Sequence, residues 1–439
     1  MFKKIFQNVK GYDHNFEYMP SKLIGLLIVI GFGFLYWYFQ PIIQLDNGHP
    51  WDANNYYVMA QQVVMQQPLS GEKPFIYRLG TSFLVGKLFP ANLMLGFTLI
   101  NALFGIGIIV STAIILSRLL KTNWIVLVLL GLLVMNPNGP ARFLGLFPVF
   151  TDPSALFFIA TIFAIGGGKE TNIVIKLALV LLSMLGVFFR EIVLIAPLSL
   201  LIENVYWRYF VKQYNKNAMT YCLVLSVILG AISLVVTHLM VVATGDYTSA
   251  SHALISLKRH IAHPDIFIVA FLTTYGPVFL ILVLNVRDTV KIIAQYPHLF
   301  CYLVMVLILA ILGGTHTDRF IFWAFPVILL ALGFIIKNSL LRAPFNFSTA
   351  WFWLILVGSQ LVAFRAFAVL PGATFNALKD WWVESSLMPN SIFFAPYGDG
   401  LHIIEMYSSF MNIKQRMIVL TQYVYLLLVL SFLMPKAAK

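Results

Sequence analysis

Long apolar stretches alternate with short polar breaks over almost the whole chain. A helix needs about 20 apolar residues to cross a bilayer, and roughly a dozen stretches approach that length. Each stretch is predicted to be helical, because unpaired backbone groups are too costly in hydrocarbon. The pattern predicts a single all-α, polytopic membrane domain over residues 1–439, with about twelve spans at Leu23 to Phe39, Asn92 to Leu116, Trp124 to Met135, Phe150 to Ile165, Ile173 to Phe189, Ile192 to Val211, Met219 to Ala243, Ile266 to Leu284, His298 to Leu312, Phe320 to Ile336, Ala350 to Leu370 and Met417 to Met434.

Composition supports the membrane class. Hydrophobic residues make up 60% of the chain and charged residues only 10%, whereas soluble domains are roughly half apolar. The first span is too long for a signal-peptide core and has no small-residue cleavage site, so we expect it to remain in the mature chain. Cys222 and Cys301 fall inside predicted spans, so no disulfide framework is expected in the loops.

The charges divide unequally between the two sets of connections. One set, which includes the N-terminal segment 1–22, holds 17 Lys and Arg against five Asp and Glu, while the other set is neutral. The whole net charge of +12 therefore lies on one face, which the positive-inside rule assigns to the cytoplasm together with both termini. The basic composition reflects topology and attraction to anionic lipid and gives no support for nucleic-acid binding.

The first external loop, residues 40–91, is the most informative outer segment. Asp52 follows a Pro-Trp pair and precedes a partly apolar stretch at 58–67, which predicts Asp52 as the N-cap of a helix lying along the membrane surface. Tyr77-Arg78 follows this helix, where a guanidinium fork suits a pair of phosphate oxygens. We therefore expect chemistry on the extracytoplasmic face.

This arrangement resembles the GT-C superfamily of multi-spanning glycosyltransferases, which take sugars from polyprenyl-phosphate carriers. The resemblance covers the overall topology and is strongest over residues 46–90, where an early Asp, an aromatic pair and a Tyr-Arg occur in order. It implies that a carboxylate of the first external loop is catalytic, which points to Asp52 first and Asp46 second.

The reaction itself defines which other residues to look for. An acceptor hydroxyl attacking the anomeric carbon needs a carboxylate as general base, for which Asp52 is the candidate. The leaving lipid phosphate needs fixed cations, and Arg and Lys can supply them without a metal. The candidate donor-phosphate ligands are Arg78, Tyr77, Arg190, Arg319, Lys258 and Arg259. The candidate substrate or acceptor residues are Glu191, His316, Asp318, Tyr57, Asp152 and His402.

Several of these residues have a competing structural interpretation. Arg190-Glu191 interrupts an apolar run, where charges are expensive and functional by default, but the pair also fits an outer turn. Asp152, which precedes a proline, and Asp318 both have the position of helix caps. Capping does not explain Arg319, because the helix dipole disfavours a cation at a helix N-terminus.

Two further outer segments contribute candidates. Lys258-Arg259-His260 is a cationic cluster that suits a lipid phosphate or a solvated loop equally well. The spacing of His260 and His263 lacks a thiolate or a second ligand pair, so no metal site and no cofactor are expected, although a divalent ion stays compatible with the chemistry. The last external loop, residues 371–416, is expected to determine acceptor specificity.

Three functions remain open at this point. The first is a glycosyltransferase with a polyprenyl-phosphate sugar donor and a glycan, lipid or protein acceptor. The second is a lipid-linked polysaccharide polymerase or ligase, whose pyrophosphate chemistry would favour the larger loops over Asp52. The third is a transporter, which would place ionisable residues near the bilayer midplane on interrupted helices. The only glycosylation sequon, Asn346-Phe347-Ser348, is predicted to be cytoplasmic, which favours a bacterial inner membrane.

Overall fold

The fold was obtained as a computed structural model, which describes residues 19–39, 49, 52–168, 172–209, 217–246, 248–314, 316–340, 346–364, 408 and 411–434. Asp46, His402 and most of the last external loop lie outside the described residues, so their predicted roles rest on the sequence alone. The described chain is mostly helical, which confirms the predicted fold class in its main feature.

The secondary structure follows the chain as a series of helices with two short strands. The helices are α1 (Met19–Phe39), α2 (Asp52–Val64), α3 (Leu79–Leu88), α4 (Leu93–Leu120), α5 (Asn123–Met135), α6 (Arg142–Leu146), α7 (Asp152–Gly166), α8 (Ile173–Phe189), α9 (Ile195–Tyr209), α10 (Asn217–Leu239), α11 (Ser249–Ala262), α12 (Asp265–Tyr275), α13 (Val278–Leu284), α14 (Val286–Ala294), α15 (Pro297–Leu312), α16 (Thr317–Phe322), α17 (Phe325–Ile335), α18 (Phe347–Ala363) and α19 (Ile413–Leu433). The strands are β1 (Ser70–Glu72) and β2 (Val242–Thr244), and tighter or wider turns occupy Phe75–Tyr77, Glu191–Leu194 and Ile336–Leu340.

Three described helices are long and apolar enough to cross a bilayer by themselves: Leu93–Leu120, Met219–Leu239 and Ile413–Leu433. A fourth is added if α14 and α15, which are bent by 114° at their junction, are counted as one span. Eight shorter apolar helices of 10–17 residues accompany them. The figure of twelve spans therefore stays a prediction, although each predicted span contains helix in its described part.

Two predicted spans are broken in the middle. The span predicted at Ile266 to Leu284 is interrupted at Gly276, whose φ of +68° lies in the left-handed region that glycine tolerates best. The buried amide of Gln360 bridges this break, accepting from the Val278 amide at 2.8 Å and donating to the Tyr275 carbonyl at 3.2 Å. A backbone break inside an apolar bundle is tolerated when neighbouring side chains satisfy the freed groups.

The second break separates α16 from α17, within the span predicted at Phe320 to Ile336. The hydroxyls of Tyr275 and Tyr302 donate to the carbonyls of Ile321 and Trp323, both at 2.8 Å. Beyond this break, α17 buries every residue except Phe334, as expected for a helix that is apolar all round and lies at the centre of a bundle.

A parallel two-stranded sheet corrects the purely all-α prediction. Ser70 pairs with Val242 and Glu72 with Thr244, which joins the first external loop to the segment after α10. The span predicted at Met219 to Ala243 therefore ends at Leu239. Its last residues exchange helical hydrogen bonds for a strand ladder, and Val242 donates its amide to the Leu69 carbonyl at 2.9 Å.

The first external loop is folded onto the bundle by its own apolar cluster. Helix α2 begins at Asp52, as predicted, and buries one face formed by Ala53, Tyr56, Met59, Ala60 and Val63. This spacing places the apolar side chains on one stripe that packs against α3, a helix that the sequence did not predict. The two helices approach closely at Gly86, where an added Cβ would lie 2.7 Å from the Ala60 carbonyl oxygen. The placement of α2 along a membrane surface stays a prediction.

Contacts between segments that are far apart in sequence fall into two groups, and the division of all the connections between two faces by charge stays a prediction. Contacts join the loops around Arg78, Asp152, Glu191 and Arg319 at one end, which we call the arginine end. At the opposite end, Lys337 donates to the Leu120 carbonyl and His298 pairs with the carboxylate of Glu203. We call this end of the bundle the lysine end. The assignment of each end to a compartment stays a prediction.

Candidate functional site

A carboxylate at the start of α7 holds two arginines that are distant in sequence. Asp152 forms ion pairs with Arg190 and with Arg319, whose Nε lies 3.0 Å from Oδ2. Only 8% of the Asp152 side-chain surface is exposed. The capping interpretation of Asp152 is wrong, because Thr151 occupies the cap position and no side chain caps this helix. Ion pairing also explains how Arg319 tolerates its unfavourable place near a helix N-terminus.

Arg78 is fixed on all three of its nitrogens. Its Nε and Nη2 donate to the two oxygens of Glu191 at 3.2 and 3.0 Å, and its Nη1 donates to the Tyr56 hydroxyl at 3.1 Å. The contact with Glu191 is bidentate, which is the geometry in which a guanidinium binds carboxylate or phosphate most strongly. Arg78 lies just before α3, and Tyr56 belongs to α2.

The charges of these groups perturb each other's proton affinity. Partial burial by itself would raise the pKa of Glu191, but the guanidiniums of Arg78 and Arg190 outweigh it and hold that pKa at about 2. Burial would lower the pKa of Arg78, yet Glu191 and Tyr56 raise it above its ordinary value. Both groups therefore stay ionised at every physiological pH.

The ion pairs of Asp152 and the ion pair of Glu191 belong to one cluster. Arg190 and Glu191 are consecutive, and Arg190 lies near enough to Arg78 and Arg319 to experience both positive charges. We call Arg78, Arg190, Arg319, Asp152 and Glu191 the arginine cluster. It contains three cations and two carboxylates, which leaves a formal charge of +1 at a largely buried position.

Aromatic faces line the cluster from the interior. The Arg190 guanidinium lies over Trp323 at 4.9 Å, and that of Arg319 lies over Phe150 at 4.8 Å from the ring centroid. Such contacts stabilise a cation by about 0.5–2 kcal/mol and stiffen its position. An apolar groove lined by Ile108, Leu144, Leu156 and Phe322 adjoins Asp152 and Arg319.

The candidate base lies on the helix that contacts this cluster. Asp52 precedes Tyr56 by four residues on α2, so the two side chains lie on the same helix face about 6 Å apart at their Cβ atoms. Tyr57 points elsewhere and stacks on His49 with ring centroids 4.1 Å apart. Tyr77 likewise stacks on His238, at 3.7 Å, and makes no described contact with the arginine cluster.

A second polar group surrounds Asp318, beside the arginine cluster. The buried Asp318 carboxylate accepts from the Thr273 hydroxyl at 2.5 Å and from the amide and hydroxyl of Ser408 at 2.9 and 2.7 Å. Its predicted capping role is therefore wrong, because both oxygens bind other segments. Burial raises the pKa of Asp318, and the hydrogen bonds from Thr273 and Ser408 lower it.

His316 lies between these two groups. Burial, together with the positive charges of Arg319, Arg190 and Arg259, lowers the pKa of His316 to about 3. Arg259 is half-buried and interacts with Arg416 and Asp318, whereas Lys258 is exposed. The predicted cationic segment of α11 is therefore split: Arg259 and the buried His260, whose Nε2 lies 3.1 Å from Thr317 Oγ1, join the polar groups at this end, and Lys258 does not.

Of the comparisons with known proteins, the comparison of structures identifies similar folds. No protein-family model matches the chain, and no curated protein matches its sequence. The structure resembles the oligosaccharyltransferase of Archaeoglobus fulgidus in its apo form, with a TM-score of 0.54, 11% identity, and coverage of 90% of this chain and 65% of that chain. The same enzyme in complex with Zn and sulfate gives a TM-score of 0.52 and 12% identity, covering 83% of this chain and 56% of that chain.

The chain shares its fold with the archaeal oligosaccharyltransferase. This confirms the resemblance drawn from the first external loop as far as the fold is concerned. ArnT from Cupriavidus metallidurans, at a TM-score of 0.49 and 11% identity, covers 94% of this chain and 76% of that chain. The chain spans 56% to 65% of the length of the archaeal enzyme in these two comparisons.

One GT-C neighbour was solved with Zn, which raises the question of a metal in this chain. Among the described residues, no group of three His, Cys, Asp or Glu side chains is arranged to hold a metal ion. The two carboxylates of the arginine cluster are already neutralised by guanidiniums. These residues therefore do not fit a divalent cation, since its ligands would need free carboxylate oxygens.

The sequence missed several residues that the GT-C fold brings to the site. Tyr56, rather than its neighbour Tyr57, contacts Arg78, and its spacing of four from Asp52 was the available signal. Trp323 and Thr151 gave no signal, because their neighbours come from distant segments. Arg142 is fully buried and donates to the carbonyls of Met135, at 3.1 Å, and Phe364.

Proposed function

We propose that this chain is an inverting membrane glycosyltransferase that moves a sugar from a polyprenyl-phosphate carrier to an acceptor on the extracytoplasmic face. The protein lies in a cell membrane, with both of its termini in the cytoplasm and the arginine end on the extracytoplasmic side. The observation that carries the proposal is the arginine cluster, in which three guanidiniums from separate segments meet only two carboxylates next to α2.

As a binding site for a phosphodiester, the buried arginine cluster is better suited than a solvent-exposed salt bridge would be. Removing charges from water is costly, so a bundle that brings three arginines into a nearly buried position must compensate each one. The remaining charge of +1 matches the single negative charge of a polyprenyl-phosphate sugar.

The proposed reaction uses each group at a defined atom. Asp52 accepts the proton of the acceptor hydroxyl as that oxygen attacks the anomeric carbon. The bond between the anomeric carbon and the phosphate oxygen breaks, and the electron pair stays with the phosphate, which gains a second negative charge. Fixed guanidiniums stabilise that developing charge because they are oriented before the reaction begins. The acceptor is a glycan, a lipid or a protein.

The decisive experiment supplies purified protein in nanodiscs with polyprenyl-phosphate sugars and measures released polyprenyl phosphate. We expect turnover in the wild type and a fall of about 10²–10⁴-fold in Asp52→Asn, the range for loss of a general base. Asp246→Asn is the matched control, since Asp246 is an exposed carboxylate at the same end. Full activity in Asp52→Asn, with an unchanged unfolding temperature, would reject Asp52 as the base.

The broken helices at Gly276 and after Phe322 favour a transporter as the second candidate, because interrupted helices often form transport sites. The five charges of the arginine cluster nevertheless lie at one end of the bundle. Substrate uptake into sealed vesicles without donor turnover would favour the transporter. Turnover restricted to pyrophosphate-linked donors would instead favour the polymerase or ligase.

A further inference from the structure

The two carboxylates of the arginine cluster differ in how firmly they are held. Asp152 pairs with two arginines at once, and only 8% of its side-chain surface is exposed. Within the described residues, Glu191 forms its ion pair with Arg78, with Arg190 acting on it only from a greater distance, and 42% of its side-chain surface is exposed. Asp152 is therefore a fixed part of the cluster, while Glu191 has the space to leave its partner.

The contact between Glu191 and Arg78 has the bidentate geometry in which a guanidinium also binds a phosphate. Its two oxygens accept from Nε and Nη2 of Arg78 at 3.2 and 3.0 Å, which is the fork geometry that guanidiniums offer equally to carboxylates and phosphates. Two non-bridging phosphate oxygens could occupy these positions without moving the guanidinium.

Arg78 would keep its orientation after Glu191 left. Its third nitrogen, Nη1, donates to the Tyr56 hydroxyl at 3.1 Å, and Tyr56 is 2% exposed. The Tyr56 carbonyl accepts from the Ser82 hydroxyl at 2.9 Å, which ties α2 to α3 on either side of Arg78. The Tyr56 hydroxyl oxygen accepts from Arg78 Nη1 and, at 3.4 Å, from Thr151 Oγ1. Neither contact uses the Tyr56 hydroxyl proton, which is therefore able to turn toward a phosphate oxygen beside Arg78.

We infer that Glu191 is an exchangeable ligand of Arg78 that the donor phosphate displaces on binding and that re-forms the ion pair as the phosphate product leaves. The identity of this phosphate as the donor's rests on the proposed function. Tyr56 is the positioning residue that holds Arg78 during the exchange. Glu191 competes with the phosphate for Arg78, so it weakens binding and speeds release rather than contributing affinity.

The inference predicts that removing the negative charge of Glu191 tightens phosphate binding, whereas removing a phosphate ligand would weaken it. Full-length protein in nanodiscs is titrated with farnesyl phosphate and, separately, with inorganic phosphate by calorimetry. We expect Glu191→Gln to bind farnesyl phosphate about tenfold more tightly, because a neutral amide competes less for a guanidinium than a carboxylate does. Glu72→Gln, an exposed carboxylate on β1, is the control and should leave the affinity unchanged.

Two further variants keep the test decisive if Glu191→Gln does not fold. Glu191→Asp keeps the charge but is one methylene shorter, so its weaker bidentate contact should tighten binding about threefold. Tyr56→Phe should weaken binding, and adding the Glu191 substitution to it should restore less affinity than the same substitution gives alone. Where turnover is measurable, Glu191→Gln should lower KM for the donor and strengthen inhibition by polyprenyl phosphate.

The outcomes separate this inference from the proposed function. Unchanged or weaker binding of farnesyl phosphate in both folded Glu191 variants overturns the exchange, even if wild-type turnover is observed. Tighter binding of both farnesyl phosphate and inorganic phosphate supports the exchange, even if no polyprenyl-phosphate sugar is turned over and the proposed function fails. A gain for inorganic phosphate as large as that for farnesyl phosphate assigns the effect to the phosphate group, whereas a gain for farnesyl phosphate alone overturns competition at Arg78.

Discussion

The two ends of the bundle use charge in different ways. At the arginine end, Arg190, Arg319 and Asp152 are largely buried and come from segments far apart in sequence. At the lysine end, Lys291 and Asp288 pair within one helical turn with 56% and 52% of their side chains exposed. An exposed local pair contributes little to stability, whereas a buried one is costly to break. The distribution of exposed charges along the sequence thus indicates topology, whereas buried charges that come together from distant segments indicate a site.

The lysine end contains buried polar contacts as well, but of another kind. His298 Nδ1 lies 2.7 Å from the Glu203 carboxylate, and Lys337 donates to the Leu120 carbonyl at the C-terminus of α4. These contacts satisfy a helix end or join a histidine to a carboxylate. At the arginine end a single buried carboxylate joins two cations, Arg190 and Arg319.

The largest expected effect comes from neutralising Asp152. Asp152→Asn leaves Arg190 and Arg319 close together without their shared counter-charge, which we expect to lower the free energy of unfolding by about 3–5 kcal/mol. Reversible unfolding in mixed micelles measures this change. A loss below about 1 kcal/mol would mean that the two arginines find other partners, and the contrast between the ends would weaken.

An intermediate effect is expected from His316 and depends on pH. Its pKa is lowered to about 3 in the folded state from an ordinary value of about 6.5, so the folded protein binds fewer protons than the unfolded chain. The stability that this provides is present above about pH 6.5 and is lost as the pH falls toward 3.

Between pH 7.5 and pH 5 we therefore expect the wild type to lose about 1–2 kcal/mol that His316→Gln does not lose. Unfolding measured at both pH values gives the difference. His263→Gln, at an exposed position on the same end, serves as the comparison. An equal pH dependence in wild type and His316→Gln would show that His316 is not buried among cations.

The smallest effect is expected at the lysine end. Asp288→Asn removes an exposed partner three residues from Lys291, and we expect the free energy of unfolding to change by less than about 0.5 kcal/mol. The same unfolding assay measures it alongside Asp152→Asn. A change comparable to that of Asp152→Asn would remove the distinction between the two ends.

Local patterns were sufficient for much of the site. The resemblance over residues 46–90 implied the GT-C fold and included Arg78, the interruption of an apolar run identified Arg190 and Glu191, and an unfavourable place at a helix N-terminus identified Arg319. The structure brings these four residues together. This worked because a charge in an apolar run is rare enough to stand out without any structural information. Their roles toward a substrate stay predictions until they are tested.

The same patterns gave wrong structural roles where partners are remote. Asp152 and Asp318 were equally compatible with capping, because a cap depends on neighbours within three residues and an ion pair on neighbours anywhere. Arg319, which pairs with Asp152, is 167 residues away along the chain, and Ser408, which donates to Asp318, is 90 residues away. No spacing rule connects such positions.

By itself the sequence determined that the chain is strongly apolar and mostly helical, because apolar length acts locally along the chain. Only the tertiary structure decided where helices break, since the breaks at Gly276 and after Phe322 need Gln360, Tyr275 and Tyr302 to satisfy the backbone. It also decided that Asp152 is held while Glu191 is exposed, a difference that arises from packing across helices and that has no counterpart in the local sequence.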